Sequence, residues 1–404
     1  MPSGDGWLVR ARVGCRPVTP DQWAMVGELA ARMGNGLVEL TSRGNLQIRG
    51  LAARDTQTVT SGLIECGLVC ADTAADRRRL VVVNPLAGLA PDGVLTSHLR
   101  VEAHGQSSVT VPVTQSPESG EFVKGELWAG EADGGRHRLG TASAAPGVNP
   151  ATIATEVDVL AGVEDLVEHF GDQLPAKWWA VVDAGAPWPM AVASCDVALC
   201  REPGGWQVLV AGKTWQRVAH PIPVARELAE RCASDRCRAS ELTCEAPEPA
   251  PVVTDTRTAW WGARLFGDVT VTHVAPVFGV MHAGDAQLLA ELSGTPVTLR
   301  PTPQRGVLLI AAQAFAPRLS GIVDQLAARG WIVAGDDPRR MWSACIGSRG
   351  CDSALIDTWA VADQLAVASP SAPTHISGCP KRCGAPPGAR ELIATVDGLV
   401  EVGA

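Results

Sequence analysis

Several features are missing or scarce in this chain, and most of these absences exclude a class of function. No apolar run approaches the roughly 18 residues that a membrane-spanning helix needs. The opening residues Met1–Gly6 lack the basic and apolar regions of a signal peptide. Positive charge is scarce, and the net charge of −9 argues against a nucleic-acid or anionic-membrane surface. We therefore expect a cytoplasmic protein in which a local basic pocket meets any anionic ligand. Tyrosine is absent as well, and no functional class follows from that.

The 12 cysteines would suggest disulfides in a secreted protein, but in a cytoplasmic one the alternatives are thiolate ligands and free thiols. Five are scattered and are predicted to be small buried residues, namely Cys15, Cys66, Cys70, Cys195 and Cys200. Three more are irregularly spaced just before the Pro-rich segment Glu245–Val253, with no fourth cysteine nearby, namely Cys232, Cys237 and Cys244. We interpret these three as structural.

The order of predicted elements occurs twice, which indicates an internal duplication. The first copy reads as a strand at Trp7–Val13, a helix entered at Thr19–Asp21, strands at Leu37–Leu40 and Asn45–Arg49, and a helix from about Asp55 to Cys66. About 260 residues later, the second copy reads as a strand at Val269–Met281, a helix at Asp285–Leu292, strands at Val297–Leu299 and Val307–Ala311, and a helix at about Phe315–Arg329. Thr41 precedes Arg79 by 38 residues, just as Thr302 precedes Arg340.

The simplest architecture is a duplicated α+β unit with a different subdomain after each copy. The predicted boundaries are 1–75, 76–245 with a polar insertion at about 98–150, 251–334 and 335–404. Two unrelated α+β domains are the alternative.

The strongest motif consists of four cysteines near the end of the chain. Cys345-x5-Cys351 is followed after 27 residues by Cys379-x3-Cys383. Four thiolates suit either Zn²⁺ or an iron–sulfur cluster. The spacings of five and three, with glycines flanking the ligands, favour the cluster, because glycine lets backbone N–H groups approach its sulfurs. Three nearby cations are expected to offset its negative charge, namely Arg349, Lys381 and Arg382.

A second motif, LTSRGNLQIRG at Leu40–Gly50, predicts a polar and cationic strand face. Other basic sites are separate in sequence, namely Arg10 and Arg12, Arg77–Arg79, and Lys177 in LPAKWWAVVD. Guanidinium forks match carboxylates. Each cation by itself is more often a solvated surface charge, but the ensemble suggests a polyanionic ligand.

These motifs together resemble the sirohaem-type nitrite/sulfite reductase superfamily, and within it the enzymes of aerobic cobalamin biosynthesis that oxidise precorrin-3A. The resemblance spans nearly the whole chain. It implies duplicated ferredoxin-like half-domains that form a pseudo-symmetric sheet, each followed by a reductase-type α+β subdomain, the C-terminal one carrying the cluster. By position, Arg12, Arg43, Arg79 and Lys177 would bind tetrapyrrole carboxylates, while Cys345, Cys351, Cys379 and Cys383 would bind [4Fe–4S].

The resemblance implies a monooxygenase whose partners are precorrin-3A, O₂ and an electron donor, either an NAD(P)H-linked reductase or ferredoxin. It also implies a second, mononuclear non-haem iron, for which no two-His-one-carboxylate set stands out. No catalytic residue can be named; His375 is the histidine nearest the cysteines, and a buried strand position is its ordinary interpretation. We expect a monomer.

Two other function classes stay open. A sirohaem-dependent nitrite or sulfite reductase is one, although its K-x-K pair is reduced here to Lys177, with Trp179 at the second position. A non-catalytic tetrapyrrole-binding or electron-transfer protein is the other.

Overall fold

The structure is a computed structural model that describes residues 2–72, 75–76, 80–87, 99–102, 125–130, 136–142, 153–241 except 176, 187, 191, 193 and 203, then 252–255, 259–266, 269–292, 296–366, 370–386 and 389–402. It divides into two compact units, one made of Met1–Ala71 with Trp260–Ala404 and the other of Asp72–Ala259. Within the described ranges, no helix has the length and apolar character needed to cross a membrane.

The first copy of the repeat has the predicted order of elements. Its elements are β1 (Pro2–Ser3), β2 (Gly6–Ala11), α1 (Pro20–Met33), β3 (Leu37–Leu40), β4 (Leu46–Leu51) and α2 (Thr56–Glu65). Helix α1 begins where expected because Thr19 and Gln22 form a capping box around Pro20 at the first helical position. Its apolar face buries Trp23 and Val26 in the core.

The middle of the chain forms the second compact unit. Its elements are β5 (Val81–Val83), β6 (Leu99–Glu102), β7 (Gly125–Gly130), β8 (Arg136–Ala142), α3 (Glu156–Phe170), β9 (Ala180–Asp183), β10 (Val197–Glu202), β11 (Gly205–Val210), β12 (Lys213–Val218), α4 (Ile222–Asp235) and β13 (Val252–Asp255). A seven-stranded sheet has the order β5-β9-β10-β11-β12-β13-β6, and β7 pairs with β8 separately. Apart from β6, β7 and β8, the insertion predicted at 98–150 lies outside the described residues.

The second copy repeats the first. Its elements are β14 (Gly262–Phe266), β15 (Val269–Val274), β16 (Val280–His282), α5 (Ala283–Ala290), β17 (Val297–Pro301), β18 (Val307–Ala312) and α6 (Ala316–Ala328). The strand order β14-β15-β18-β17 matches β1-β2-β4-β3. The single strand predicted over Val269–Met281 is wrong, because the backbone turns at Val277–Gly279, where Phe278 has a left-handed φ of 59°.

Beyond that turn, the second copy extends to the sheet of the first copy. β16 leaves its own sheet and pairs with β3 of the first copy, placing Met281 opposite Val38. Reciprocally, Val18 of the first copy bridges to Leu299 in β17. Buried residues of both copies belong to one core. The predicted pair of half-domains related by pseudo-symmetry is therefore confirmed.

The chain ends in a four-stranded sheet with a helix. Its elements are β19 (Trp342–Ala344), α7 (Thr358–Leu365), β20 (Thr374–Ser377), β21 (Arg390–Thr395) and β22 (Gly398–Val402). β19, β20 and β21 are parallel neighbours, and β22 pairs antiparallel with β21. Phe278 packs into the core of this subdomain with Trp342 and Ile376. The left-handed turn that contains Phe278 thus also contributes to the core of the C-terminal subdomain.

Candidate iron–sulfur site and basic sheet face

Two of the four cysteines are placed by parallel strands. Cys345 directly follows β19, and Cys379 comes two residues after β20. These strands are parallel neighbours with Ala344 opposite Ile376, so their carboxyl ends lie at the same edge of the sheet. The Cys345 amide donates to the Ile376 carbonyl at 3.0 Å, which continues the strand pairing into the cysteine loop.

The other two cysteines reach the same place from the loops that follow. Burial raises the pKa of the Cys383 thiol, and the nearby thiols of Cys379, Cys345 and Cys351 raise it further, while Lys381 lowers it. The other three sulfurs are thus within electrostatic range of Cys383, and all four residues are free thiols. Each would repel the others if ionised, so the group calls for a cationic binding partner.

Backbone groups already point at this cluster of thiols. The Gly378 amide donates to the Cys345 sulfur at 3.2 Å, and a Cβ on Gly378 would lie 3.5 Å from that sulfur. The Cys345 carbonyl accepts from the Thr358 hydroxyl at 2.6 Å and from the Trp359 indole at 3.1 Å. These contacts hold the Cys345 backbone in place.

The four cysteines can be compared with the ligands required by a single metal ion and by a [4Fe–4S] cluster. Within the part of the chain that the structure describes, no three His, Cys, Asp or Glu side chains are arranged around the position of a single metal ion. A [4Fe–4S] cluster makes a different demand, since each thiolate binds a different iron. Four free thiols with a backbone N–H directed at one sulfur match the donors and the supporting hydrogen bonds of such a cluster.

The cations predicted to offset the cluster charge are largely neutralised by carboxylates. Arg382 is paired with Glu391 on β21, and Arg349 donates to both oxygens of Asp357 at 2.9 Å. Lys381 is exposed and donates to the Ser353 hydroxyl at 3.0 Å. Sequence reasoning identified these three residues by proximity along the chain, which does not reveal their partners.

A cation that the sequence reasoning missed comes from the second half-domain. Arg305 lies in the turn between β17 and β18, and its Nη2 donates to the Gly384 carbonyl at 3.2 Å. Gly384 follows Cys383 directly, so this guanidinium is anchored to the loop of the fourth cysteine. The signal that could have revealed it is the alignment of the repeats, in which Arg305 falls in the turn equivalent to the one that holds Arg43.

His375 on β20 is fully buried, as its ordinary interpretation required. Its Nδ1 lies 2.9 Å from the Ser343 hydroxyl. Burial and, to a smaller extent, the nearby Arg305 lower the pKa of His375 to about 4. The imidazole is therefore neutral at physiological pH.

The basic sheet face of the first half-domain carries its own counter-charges. Arg49 is buried and donates to Asp5 at 3.1 Å, to Glu39 at 3.0 Å and to the Ser3 hydroxyl at 2.8 Å. Gln47 connects the same Glu39 to Arg10. Arg49 and Gln47 are buried in this network and Arg10 lies exposed at its edge, so Arg49 does not offer a free guanidinium to a ligand.

The loop after β2 carries Arg12 and is joined to the turn between β3 and β4, which carries Arg43. The Asn45 side-chain oxygen accepts from the amides of Val13 and Gly14 at 2.8 and 2.9 Å, which ties the loop of Arg12 to the turn of Arg43. Both arginines are half-buried. Asn45, expected on the polar strand face, therefore serves to position two candidate ligand-binding residues.

The remaining candidates belong to the other part of the chain. Lys177 lies in the second compact unit, is exposed and has a left-handed φ of 75°. Two residues after Lys177, the Trp179 amide donates to the Asp196 carboxylate at 3.1 Å. The Trp179 side chain is buried and donates to the Ser194 carbonyl at 3.1 Å, so it offers no group to a ligand. Arg79 lies outside the described residues.

Comparison with known proteins adds to this geometry. Residues 1–66 match the family described as nitrite/sulfite reductase ferredoxin-like half domain. The NirA protein of Mycobacterium tuberculosis has the same fold, with a TM-score of 0.60 and 17% identity over 98% of this chain and 73% of that one. The chain thus begins with a half domain of the nitrite/sulfite reductase type and shares the fold of NirA.

Two curated relatives refine the comparison. A precorrin-3B synthase from Sinorhizobium sp is 26% identical over 402 residues, which covers 96% of this chain and 76% of that protein. A chloroplastic ferredoxin–nitrite reductase from Oryza sativa subsp. japonica is 32% identical over 84 residues, or 19% of this chain and 14% of that protein. The similarity that extends along the chain is thus to the synthase, and the similarity to the plant nitrite reductase is local.

The matched half domain contains the basic sheet face. Arg12, Arg43 and the Asn45 turn all lie within residues 1–66. Lys177 and the four cysteines lie beyond that match.

Proposed function

We propose that this chain binds a [4Fe–4S] cluster and converts precorrin-3A to precorrin-3B with O₂, in aerobic cobalamin biosynthesis. The observation that carries the proposal is the similarity to a precorrin-3B synthase along 96% of the chain. In the proposed reaction, C20 of the macrocycle is hydroxylated and the ring A acetate closes a γ-lactone.

The cluster ligands are Cys345, Cys351, Cys379 and Cys383. The effect of the other three thiols on the pKa of Cys383 and the amide directed at the Cys345 sulfur support this assignment. A bound cluster supplies electrons one at a time, which ground-state O₂ requires. The chain's own contribution is to hold four thiolates on two loops braced by backbone hydrogen bonds.

The polycarboxylate substrate is held by Arg12, Arg43, Arg79 and Lys177. The Asn45 contacts that join the loops of Arg12 and Arg43 support a shared role for these two cations. Arginine forks bind carboxylates in two parallel hydrogen bonds and so set the orientation of the ligand. Because Arg49 is neutralised by Asp5 and Glu39, it is not included in this set.

The reaction needs an external reductant. One oxygen atom of O₂ enters the macrocycle and the other leaves as water, which consumes two electrons and two protons. The donor is an NAD(P)H-linked reductase or a ferredoxin, and the enzyme acts as a monomer. The resemblance also implies a mononuclear non-haem iron, for which we propose no ligands.

An isotope experiment tests this function. Anaerobically purified protein is supplied with a chemical reductant, precorrin-3A and ¹⁸O₂, and the product is examined by mass spectrometry. One ¹⁸O atom in the product is expected. Label that arrives instead from H₂¹⁸O would overturn the proposal.

A second candidate is a sirohaem-dependent nitrite or sulfite reductase, favoured by the fold of NirA and the local similarity to a plant nitrite reductase. Against it stands the buried Trp179, which leaves Lys177 without a neighbouring lysine. The visible spectrum separates the two, because sirohaem gives intense bands whereas a lone cluster gives a broad shoulder. Reduction of nitrite or sulfite by protein with sirohaem bound would decide for this candidate.

A further inference from the structure

The turn that carries Arg305 repeats the backbone of the turn that carries Arg43. The Thr41 hydroxyl accepts from the Asn45 amide at 3.1 Å, and the Thr302 hydroxyl accepts from the Gly306 amide at the same distance. In both turns the residue before that amide has a left-handed φ. The two turns are thus equivalent pieces of the duplicated half-domain.

The residue at the left-handed position differs between the copies. The first copy has Gly44 with φ 60°, whereas the second has Arg305 with φ 57°. Glycine adopts this conformation freely, and an L residue with a side chain is strained there. Glycine would therefore be the less strained residue in this turn. The presence of an arginine there indicates that its side chain has a role outside the turn.

The arginine side chain passes between two glycines that leave room for it. A Cβ on Gly279 would lie 2.6 Å from the Arg305 Cβ, and one on Gly384 would lie 2.9 Å from its Nη2. Gly279 and Gly384 have left-handed φ values of 74° and 79°. The guanidinium ends at the Gly384 carbonyl, directly after Cys383.

The charge of Arg305 is also unlike that of the two other arginines near the cysteines. Arg382 and Arg349 are neutralised by Glu391 and Asp357. Arg305 binds a backbone carbonyl, and in the described part of the chain it forms no ion pair. Its positive charge therefore remains available to an anionic group held by the cysteines.

We propose that Arg305 is a positioning residue for the iron–sulfur site, which anchors the Cys383 loop from the second half-domain and gives the bound cluster a fixed positive neighbour. This inference rests on the proposed cluster. A cluster with four thiolates is anionic and becomes more so on reduction, so a nearby cation favours the reduced state and raises the midpoint potential.

Two substitutions separate this role from a purely structural one. Arg305→Gly installs the residue that the equivalent turn already has, so the turn keeps its backbone or relaxes. Arg305→Gln keeps much of the side-chain length and removes the charge. Arg318→Gln is the matched control, because Arg318 also donates to a backbone carbonyl, that of Glu291 at 2.7 Å, within the same half-domain.

Each variant is purified anaerobically as the full chain and compared with wild type. The loss of cluster absorbance in the presence of an iron chelator gives a release rate, and a redox titration followed by electron paramagnetic resonance gives the midpoint potential. We expect both Arg305 variants to release iron about tenfold faster, the range for a lost partner outside the ligands, and to shift the potential to more negative values. Arg318→Gln should match wild type.

The outcomes distinguish this inference from the cluster proposal itself. Wild-type protein without acid-labile sulfide would overturn the cluster and the inference together. A wild-type cluster whose release rate and potential are unchanged in both Arg305 variants would overturn the inference alone. If Arg305→Gly lowers the thermal midpoint but leaves the potential at the wild-type value, Arg305 has a structural role only and the inference is equally overturned.

Discussion

The buried ion pair between Arg49 and Asp5 is predicted to stabilise the fold, and removing Asp5 tests this. Both side chains are buried, at 8% and 6% exposure, and they are joined by two contacts, at 3.1 Å from Nε and 3.2 Å from Nη2. Removing one partner of a buried pair costs about 3–5 kcal/mol, because the other charge stays desolvated. Glu39 still faces Arg49 at 3.0 Å, so we expect Asp5→Ala to cost about 3 kcal/mol, at the lower end of that range.

The assay is thermal and urea unfolding of the full chain. A folding unit of roughly 200 residues loses about 2–4 °C per kcal/mol, so the midpoint should fall by about 6–12 °C. The control is Glu28→Ala, which removes an exposed pair with Arg32 in the same half-domain, with side chains 49% and 68% exposed. Exposed pairs contribute about 0–1 kcal/mol.

The same variant should disturb the cysteine loop. Gly4 lies so close to Cys351 that a Cβ would be 2.5 Å from its Cα, and a Cβ on Gly350 would be 3.0 Å from the Asp5 carboxylate. Asp5→Ala is therefore expected to lower the iron content of the purified protein as well. Equal unfolding midpoints for Asp5→Ala and Glu28→Ala would refute the reasoning about the buried pair.

The remaining predictions concern the cysteines, the substrate and acid stability. Cys351→Ser should lose the iron and acid-labile sulfide that Cys237→Ser retains; equal content in both variants would contradict the ligand assignment. Arg43→Ala should weaken precorrin binding by about 1–3 kcal/mol in a fluorescence titration, and Arg43→Lys should also be impaired, because an ammonium lacks the fork; unchanged affinity would remove Arg43 from the site. The hydrogen bond from Arg382 lowers the pKa of Glu391, so its stabilisation is present above the ordinary Glu pKa of about 4.3 and is lost as pH falls through the lower folded pKa. Arg382→Met should therefore be destabilised at pH 7 and show a shallower loss on acidification, and parallel pH profiles of the two proteins would contradict this.

The candidate site shows why some charged residues could be assigned from the sequence and others could not. The four cysteines are recognisable because ligand spacing along the chain is a property of the sequence itself. Arg49 looked equally suitable as part of a cationic face, but its counter-charge Asp5 is 44 residues away, and nothing local to Arg49 indicates the pairing. A charge pattern identifies cations, whereas availability to a ligand depends on contacts that form only on folding.

The sequence by itself determined the features that depend on neighbouring residues. The capping box at Thr19 sets the start of α1, the alternation in Leu46–Leu51 makes β4, and the repeated order of elements predicts the duplication. Only the tertiary structure decided that β16 leaves its sheet to pair with β3, since edge strands carry unpaired N–H and C=O groups and no sequence pattern selects their partner. The contact between Arg305 and the Cys383 loop, 79 residues further along the chain, was likewise decided only by the tertiary structure. No spacing in the sequence indicates which backbone carbonyl a guanidinium will bind, because that depends on how the elements pack.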